Sequence, residues 1–267
     1  DWPDRFFGIG NEVDKGISII DPDEPGGERD YIEYTDRYVQ LESEYLHRVR
    51  GSVYLGLRHQ IRHSQTLDVE VAAEDVGFYD NLGVGDVFWS GLGPVLLWDD
   101  RIGLIWPTGG NLIRLDATFF GGFFGSAFDA QLYRVDLRHY RTLWSDHVLA
   151  GRYALFGAGG DAPFQLLPSL GGPDLLRGWY LGRLRDRVMS CIDLEYRVPL
   201  STHFSTVAFA STGRVASGLD QLAARQLRTG GGLGLRYALD TVQRANLRLD
   251  LAYGQSFEVY FQFKEAF

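Results

Sequence analysis

The sequence predicts an all-β protein in which each strand carries one apolar and one polar face. Three observations predict it. Period-2 alternation recurs in segment after segment, as a strand with two different faces requires. The longest uncharged windows, 87–98, 102–113 and 117–128, are broken by Gly, Ser or Pro, and none reaches the roughly 18 apolar residues of a spanning helix. The 33 glycines are dispersed without a collagen period, and no helix-period segment exceeds two turns.

The strands follow in chain order. A strand tail is expected at Arg5–Gly10. Val39, Leu41 and Tyr45 then oppose Gln40, Glu42, Glu44 and Arg48. Val53, Leu55, Leu57 and Ile61 oppose Arg58, Gln60 and Arg62. A shorter run covers 87–98. Ile113, Leu115, Ala117 and Phe119 oppose Arg114, Asp116 and Thr118, and Tyr133, Val135 and Leu137 oppose Arg134, Asp136 and Arg138. After a run at 146–157, Ile192, Leu194, Tyr196, Val198 and Leu200 oppose Cys191, Asp193, Glu195 and Arg197. Runs at 203–215 and 228–237 lead to Leu247, Leu249, Leu251 and Tyr253 against Asn246, Arg248 and Asp250. Phe257, Val259, Phe261 and Phe263 end the series against Glu258, Tyr260, Gln262 and Lys264. That makes eleven strands and a tail.

Composition narrows the class. The 267 residues carry 26 Lys+Arg against 35 Asp+Glu, a net charge of -9. An acidic chain lacks the basic surface on which phosphate binding rests, so no nucleic-acid partner is expected. An apolar fraction of 45% is too rich for a disordered chain. One Cys excludes an internal disulfide and a Cys-based zinc site.

The polar faces hold Arg, Asp, Glu and Gln in opposite-sign pairs, strand after strand. Two architectures accommodate that pattern. A transmembrane antiparallel β-barrel turns its apolar faces to lipid and encloses the ionic ones. A soluble all-β domain interlocks the apolar faces around one core. Patterning does not say where the apolar face points. Three long loops, 11–33, 66–85 and 159–186, fall on one side of the alternation, as the long outer loops of a membrane barrel do.

More specific residues follow. Leu170–Arg183 reads L-G-G-P-D-L-L-R-G-W-Y-L-G-R and precedes the strand D-L-E-Y-R-V-P-L (Asp193–Leu200). Earlier come S-G-L-G (Ser90–Gly93), D-D-R (Asp99–Arg101) and P-T-G-G (Pro107–Gly110); later come V-A-F-A-S-T-G-R-V (Val207–Val215), L-G-L-R-Y (Leu233–Tyr237), L-R-L-D (Leu247–Asp250) and the terminal Phe267. In this order the set resembles the BamA/TamA family of outer-membrane barrels, the bacterial surface-antigen superfamily. The resemblance runs from about residue 4 to 267.

That resemblance implies a transmembrane antiparallel β-barrel of sixteen strands, of which about twelve are covered here. Residues 1–267 then form a single outer-membrane barrel domain. Its first strands precede Asp1, or the chain is a twelve-strand variant without visible periplasmic modules. Residues 159–186 become a long loop folding into the lumen, with Arg177, Gly178 and Trp179 at its tip. A guanidinium held there requires partners, because an unpaired buried charge costs several kcal/mol. Glu195, on the polar face of the next strand, is the expected partner, and Ser211 stands where the family has a second carboxylate. Phe261, Phe263 and Phe267 are the implied C-terminal assembly signal, with Glu265 on the apolar face as a departure. The implied work is insertion or translocation of proteins at the outer membrane of a Gram-negative bacterium. The implied partners are lipid and other outer-membrane or periplasmic proteins. Two other roles remain: a scaffold or anchor barrel in a larger complex, and a soluble carbohydrate-active protein using Asp193 and Glu195.

No enzyme site, metal or cofactor is expected. The sequence has no G-x-S-x-G elbow and no H-E-x-x-H. His59 and His63 on one strand lie about 13 Å apart, too far for one ion. Asp193 and Glu195, about 7 Å apart on a shared face, read more simply as one more pair of interior charges. Gly230-Gly231-Gly232 has no helix after it and marks a bend or a close approach of chains. Cys191 reads as an inert buried thiol.

Overall fold

The computed structural model describes residues 4–6, 9–10, 19–20, 28–29, 32–67, 85–222, 226–242 and 244–267. The strands are β1 (Asp4–Phe6), β2 (Ile19–Ile20), β3 (Glu28–Arg29), β4 (Ile32–Arg50), β5 (Val53–Leu67), β6 (Asp86–Asp99), β7 (Gly110–Phe120), β8 (Ala130–Thr142) and β9 (Val148–Gly160). They continue with β10 (Ser169–Leu170), β11 (Leu184–Arg185), β12 (Val188–Pro199), β13 (Phe204–Ala216), β14 (Arg228–Asp240), β15 (Ala245–Tyr253) and β16 (Phe257–Gln262). Twelve of them form one antiparallel sheet in the order β1-β4-β5-β6-β7-β8-β9-β12-β13-β14-β15-β16. Each long strand therefore lies beside its chain neighbour, the meander that short turns favour. Two-stranded ladders join β2 to β3 and β10 to β11.

The apolar faces point outward. Leu194, Leu249 and Phe261 are 50%, 39% and 59% exposed, while Glu195 and Asp250 are fully buried. A water-soluble core would place them the other way round, so the alternation is that of a membrane barrel. The sheet also curls. Tyr140 on β8 and Phe267 beyond β16 stand six strands apart in the sheet, about 29 Å if it were flat. Their ring centroids are 6.3 Å apart. Arg114 on β7 likewise reaches Glu44 on β4. Right-handed twist bends the sheet in this way and gives it an interior.

Connections alternate between the two ends. Residues 51–52, 100–109, 143–147, 200–203 and 241–244 lie at one end, and 68–85, 121–129, 161–187, 217–227 and 254–256 at the other. Most of the expected loops 11–33 and 66–85 lies outside the described residues. β4 and β5 run into them, to Ile32 and Leu67. The strand tail expected at 5–10 is the short β1, and Gly10 bridges to Arg185.

The C-terminus corrects one expectation. β16 stops at Gln262, and the last residues turn inward. Glu265 is not on the apolar face: it is buried and accepts from Arg236 Nε (2.8 Å) and Asn246 Nδ2 (3.0 Å). Period-2 counting fails there because the ladder that enforces it has ended. Phe261 and Phe263 are exposed, whereas Phe267 is buried with Tyr140, Ala150 and Ala266.

Candidate functional site

The connection from β9 to β12 folds back over inward-facing residues of its own sheet. Leu170, Leu176 and Leu184 are fully buried with Ala154 of β9, Met189 and Cys191 of β12 and Val215 of β13. These strand positions belong to otherwise polar inner faces. Their apolar character at one end of the strands makes a collar that grips the β10–β11 ladder and orients the segment between its strands. Burial of three leucines contributes on the order of 2 kcal/mol each.

At the tip, Arg177 is 1% exposed. Its Nη2 donates to Glu195 Oε1 at 2.7 Å and its Nη1 to Asp250 Oδ2 at 2.7 Å. Its Cζ lies 3.5 Å from the centroid of the Phe209 ring. Burial alone would push the guanidinium's pKa down, but the Glu195 and Asp250 carboxylates outweigh that and hold it above its ordinary value. Two charge-assisted bonds and a stacked ring restrain the guanidinium on three sides.

Gly178 takes φ +96, and a Cβ there would sit 2.5 Å from the Tyr253 carbonyl carbon. Only glycine fits that turn against β15. The Gly178 N–H donates to the Tyr260 hydroxyl (3.1 Å), which donates to the Trp179 carbonyl (3.2 Å). Trp179 Nε1 donates to the Thr229 carbonyl at 2.9 Å. The glycine run on β14 serves this approach: a Cβ on Gly230 would meet the Arg177 carbonyl oxygen at 2.1 Å. Close approach, rather than a bend, is the reason for the run.

Further arginines surround the pair. Arg197 approaches Glu195 Oε2 at 2.8 Å, Arg236 donates to Asp250 Oδ1 at 2.5 Å, and Arg248 Nε lies 3.1 Å from Asp250 Oδ2. Every one of these side chains is at most 1% exposed. The cluster closes from the other end too. Trp106, in the 100–109 connection, packs with Val207, Phe209 and Ala252. Arg197 Cζ sits 4.6 Å from the Trp106 ring centroid, and Arg197 donates to the Pro107 (3.3 Å) and Phe267 (3.2 Å) carbonyls. Phe209 is thus held between Arg177 and Trp106, which arrive from opposite ends.

The structure brings Arg177 and Glu195 together. Ser211 stands elsewhere: its hydroxyl donates to Asp193 Oδ1 at 2.6 Å. The second carboxylate on Arg177 is Asp250, which sequence reasoning placed on a polar face without a partner. The Leu247–Tyr253 alternation located Asp250; nothing local could say that its strand curves round to the loop. Cys191 is 1% exposed, with its Sγ 3.6 Å from Asp193. His59 and His63 face outward to different partners, Ser90 and Asp86. Both Glu195 oxygens are taken by arginines, which leaves no free carboxylate pair for hydrolysis. The cluster can restrain a loop inside a sheet; none of its groups is poised for bond making.

A family model described as the Omp85 superfamily domain matches residues 18–264. Among solved structures, the chain is similar to BamA from Haemophilus ducreyi lacking POTRA domains 1–3, with TM-score 0.66 and 15% identity over 86% of this chain and 53% of that one. It is also similar to CdiB from Acinetobacter baumannii, with TM-score 0.52 and 16% identity over 88% of this chain and 41% of that one. The likeness to these structures is one of fold, and the chain spans about half their length. No curated protein matches.

Proposed function

The chain belongs to the Omp85 superfamily, and from that premise we propose that it inserts or translocates proteins at the outer membrane of a Gram-negative bacterium, without enzymatic chemistry. The family match over residues 18–264 carries this reading. The fold supplies a physical means. β4 and β16 lie at or next to the two ends of the twelve-stranded sheet. A seam between end strands offers backbone N–H and C=O groups to an incoming strand, which can pair there before it closes on itself. Arg177, Gly178 and Trp179, with Glu195, brace the wall beside that seam. Phe261 and Phe263, on the last strand and just beyond it, are the lipid-facing part of the assembly signal. Phe267 anchors the C-terminus inside. The partners are lipid and other outer-membrane or periplasmic proteins.

Reconstitution tests the reading. The full chain in proteoliposomes should speed folding of an unfolded outer-membrane barrel, read by gel-mobility shift and protease protection. A rate equal to that of empty liposomes would overturn it. A second reading, a scaffold barrel in a larger complex, is favoured by the dense ionic packing around Arg177, which suits a fixed wall. Co-purified partner subunits together with an unchanged folding rate would select it.

A further inference from the structure

The other half of the interior is built differently. A cavity of about 1060 Å³ lies along β4–β9, bounded by Leu104, Ile105 and Pro107 and by the Phe263–Phe267 tail. Its charges are segregated by strand. The inner faces of β5, β7, β8 and β9 supply Arg58, Arg114, Arg134, Arg138 and Arg152, whereas β4 supplies Glu42 and Glu44. Two carboxylates on β7 and β8 serve all five arginines. Asp116 lies 3.5 Å from Arg58, 2.8 Å from Arg114 and 4.0 Å from Arg134. Asp136 lies 2.8 Å from Arg138 and 2.7 Å from Arg152. Glu42 and Glu44 add one bond each, to Arg58 and Arg114.

Arg134 is the cation left over. Its nearest carboxylate is 4.0 Å away, and its side chain is 37% exposed. Its Cζ sits 5.0 Å from the Phe156 ring centroid, which fixes its direction. It lines both this cavity and a neighbouring one of about 220 Å³. A guanidinium with spare donors, beside two others already sharing one carboxylate, is a ready acceptor of a further anion.

We propose that this arginine wall binds the carboxylates of an acidic, extended polypeptide segment, with Arg134 as the first contact and Arg58 and Arg114 completing the site. The ligand class rests on the protein-handling role proposed above; the charge geometry does not. Carboxylate side chains on alternate residues of an extended segment recur every 7 Å or so, the same spacing as arginines on one strand face such as Arg134 and Arg138. Binding is therefore multivalent and salt-sensitive.

The test uses the full chain in detergent micelles with fluorescent peptides of equal length, alternating Ser with Glu, Gln or Lys. The Glu peptide should bind about tenfold more tightly than the other two and weaken as salt rises. Arg134→Gln should lower that affinity several-fold and Arg134→Glu should abolish it. Arg141→Glu, an exposed outward position at the end of β8, should change nothing. Equal binding of the three peptides, or wild-type binding by Arg134→Glu with its gel-mobility shift intact, would overturn the proposal. Client folding is measured in parallel. Accelerated folding without selective Glu-peptide binding sinks this inference and leaves the proposed function standing. Selective binding without accelerated folding does the reverse.

Discussion

The two halves of the interior solve one problem in opposite ways. Both line a barrel with arginines and carboxylates. Along β12–β16, the loop tip and the C-terminal tail exclude water, and Arg177, Glu195, Arg197, Arg236, Arg248 and Asp250 are each at most 1% exposed. Along β4–β9, a cavity remains and the partners Arg114 and Glu44 keep 19% and 29% of their side chains exposed. The same residue types become fixed structure in one half and adjustable charge in the other. What separates them is the dielectric, since an ion pair out of water must be complete whereas a wet one need not be.

That contrast is most exposed to Arg177→Ala. It strands Glu195 and Asp250 in a dry site and should cost about 3–5 kcal/mol, read as a lower urea midpoint in micelles. A loss as small as that at a wet pair would break the comparison. Gly230→Ala tests the fit of the loop. Its Cβ would start 2.1 Å from the Arg177 carbonyl oxygen, so the tip must lift. A cost of about 1–3 kcal/mol and new protease cleavage between residues 171 and 183 are expected. Trp179→Phe keeps the ring but loses the bond to Thr229, for about 1 kcal/mol. Arg114→Ala is the counterpart in the wet half. It should cost less than about 1 kcal/mol, and that cost should fade in high salt while the Arg177→Ala deficit persists.

How much of this was legible beforehand differs by residue. Arg177 and Glu195 could be paired from the order of loop and strand, because Glu195 sits on the polar face of the strand that follows. Asp250 could not, since it comes from 73 residues further on and its nearness depends on how far the sheet curls. Ser211 was placed on the correct face, but a hydroxyl takes the nearest carboxylate, and cross-strand register puts Asp193 directly opposite. Glu265 was misplaced because alternation was carried past the end of β16. Trp106 gave no local signal: a turn residue reads the same whether it faces solvent or folds under Phe209.

The sequence by itself determined the strands, their two faces and the residues that would be charged on the inner one. Alternation is a property of each segment, set by a backbone whose side chains point up and down in turn. It left undecided which face meets lipid, which inner charges meet each other and where water remains. Those depend on closure of the sheet and on two connections and a tail that enter it from opposite ends, and long-range geometry of that kind leaves no trace in any one strand.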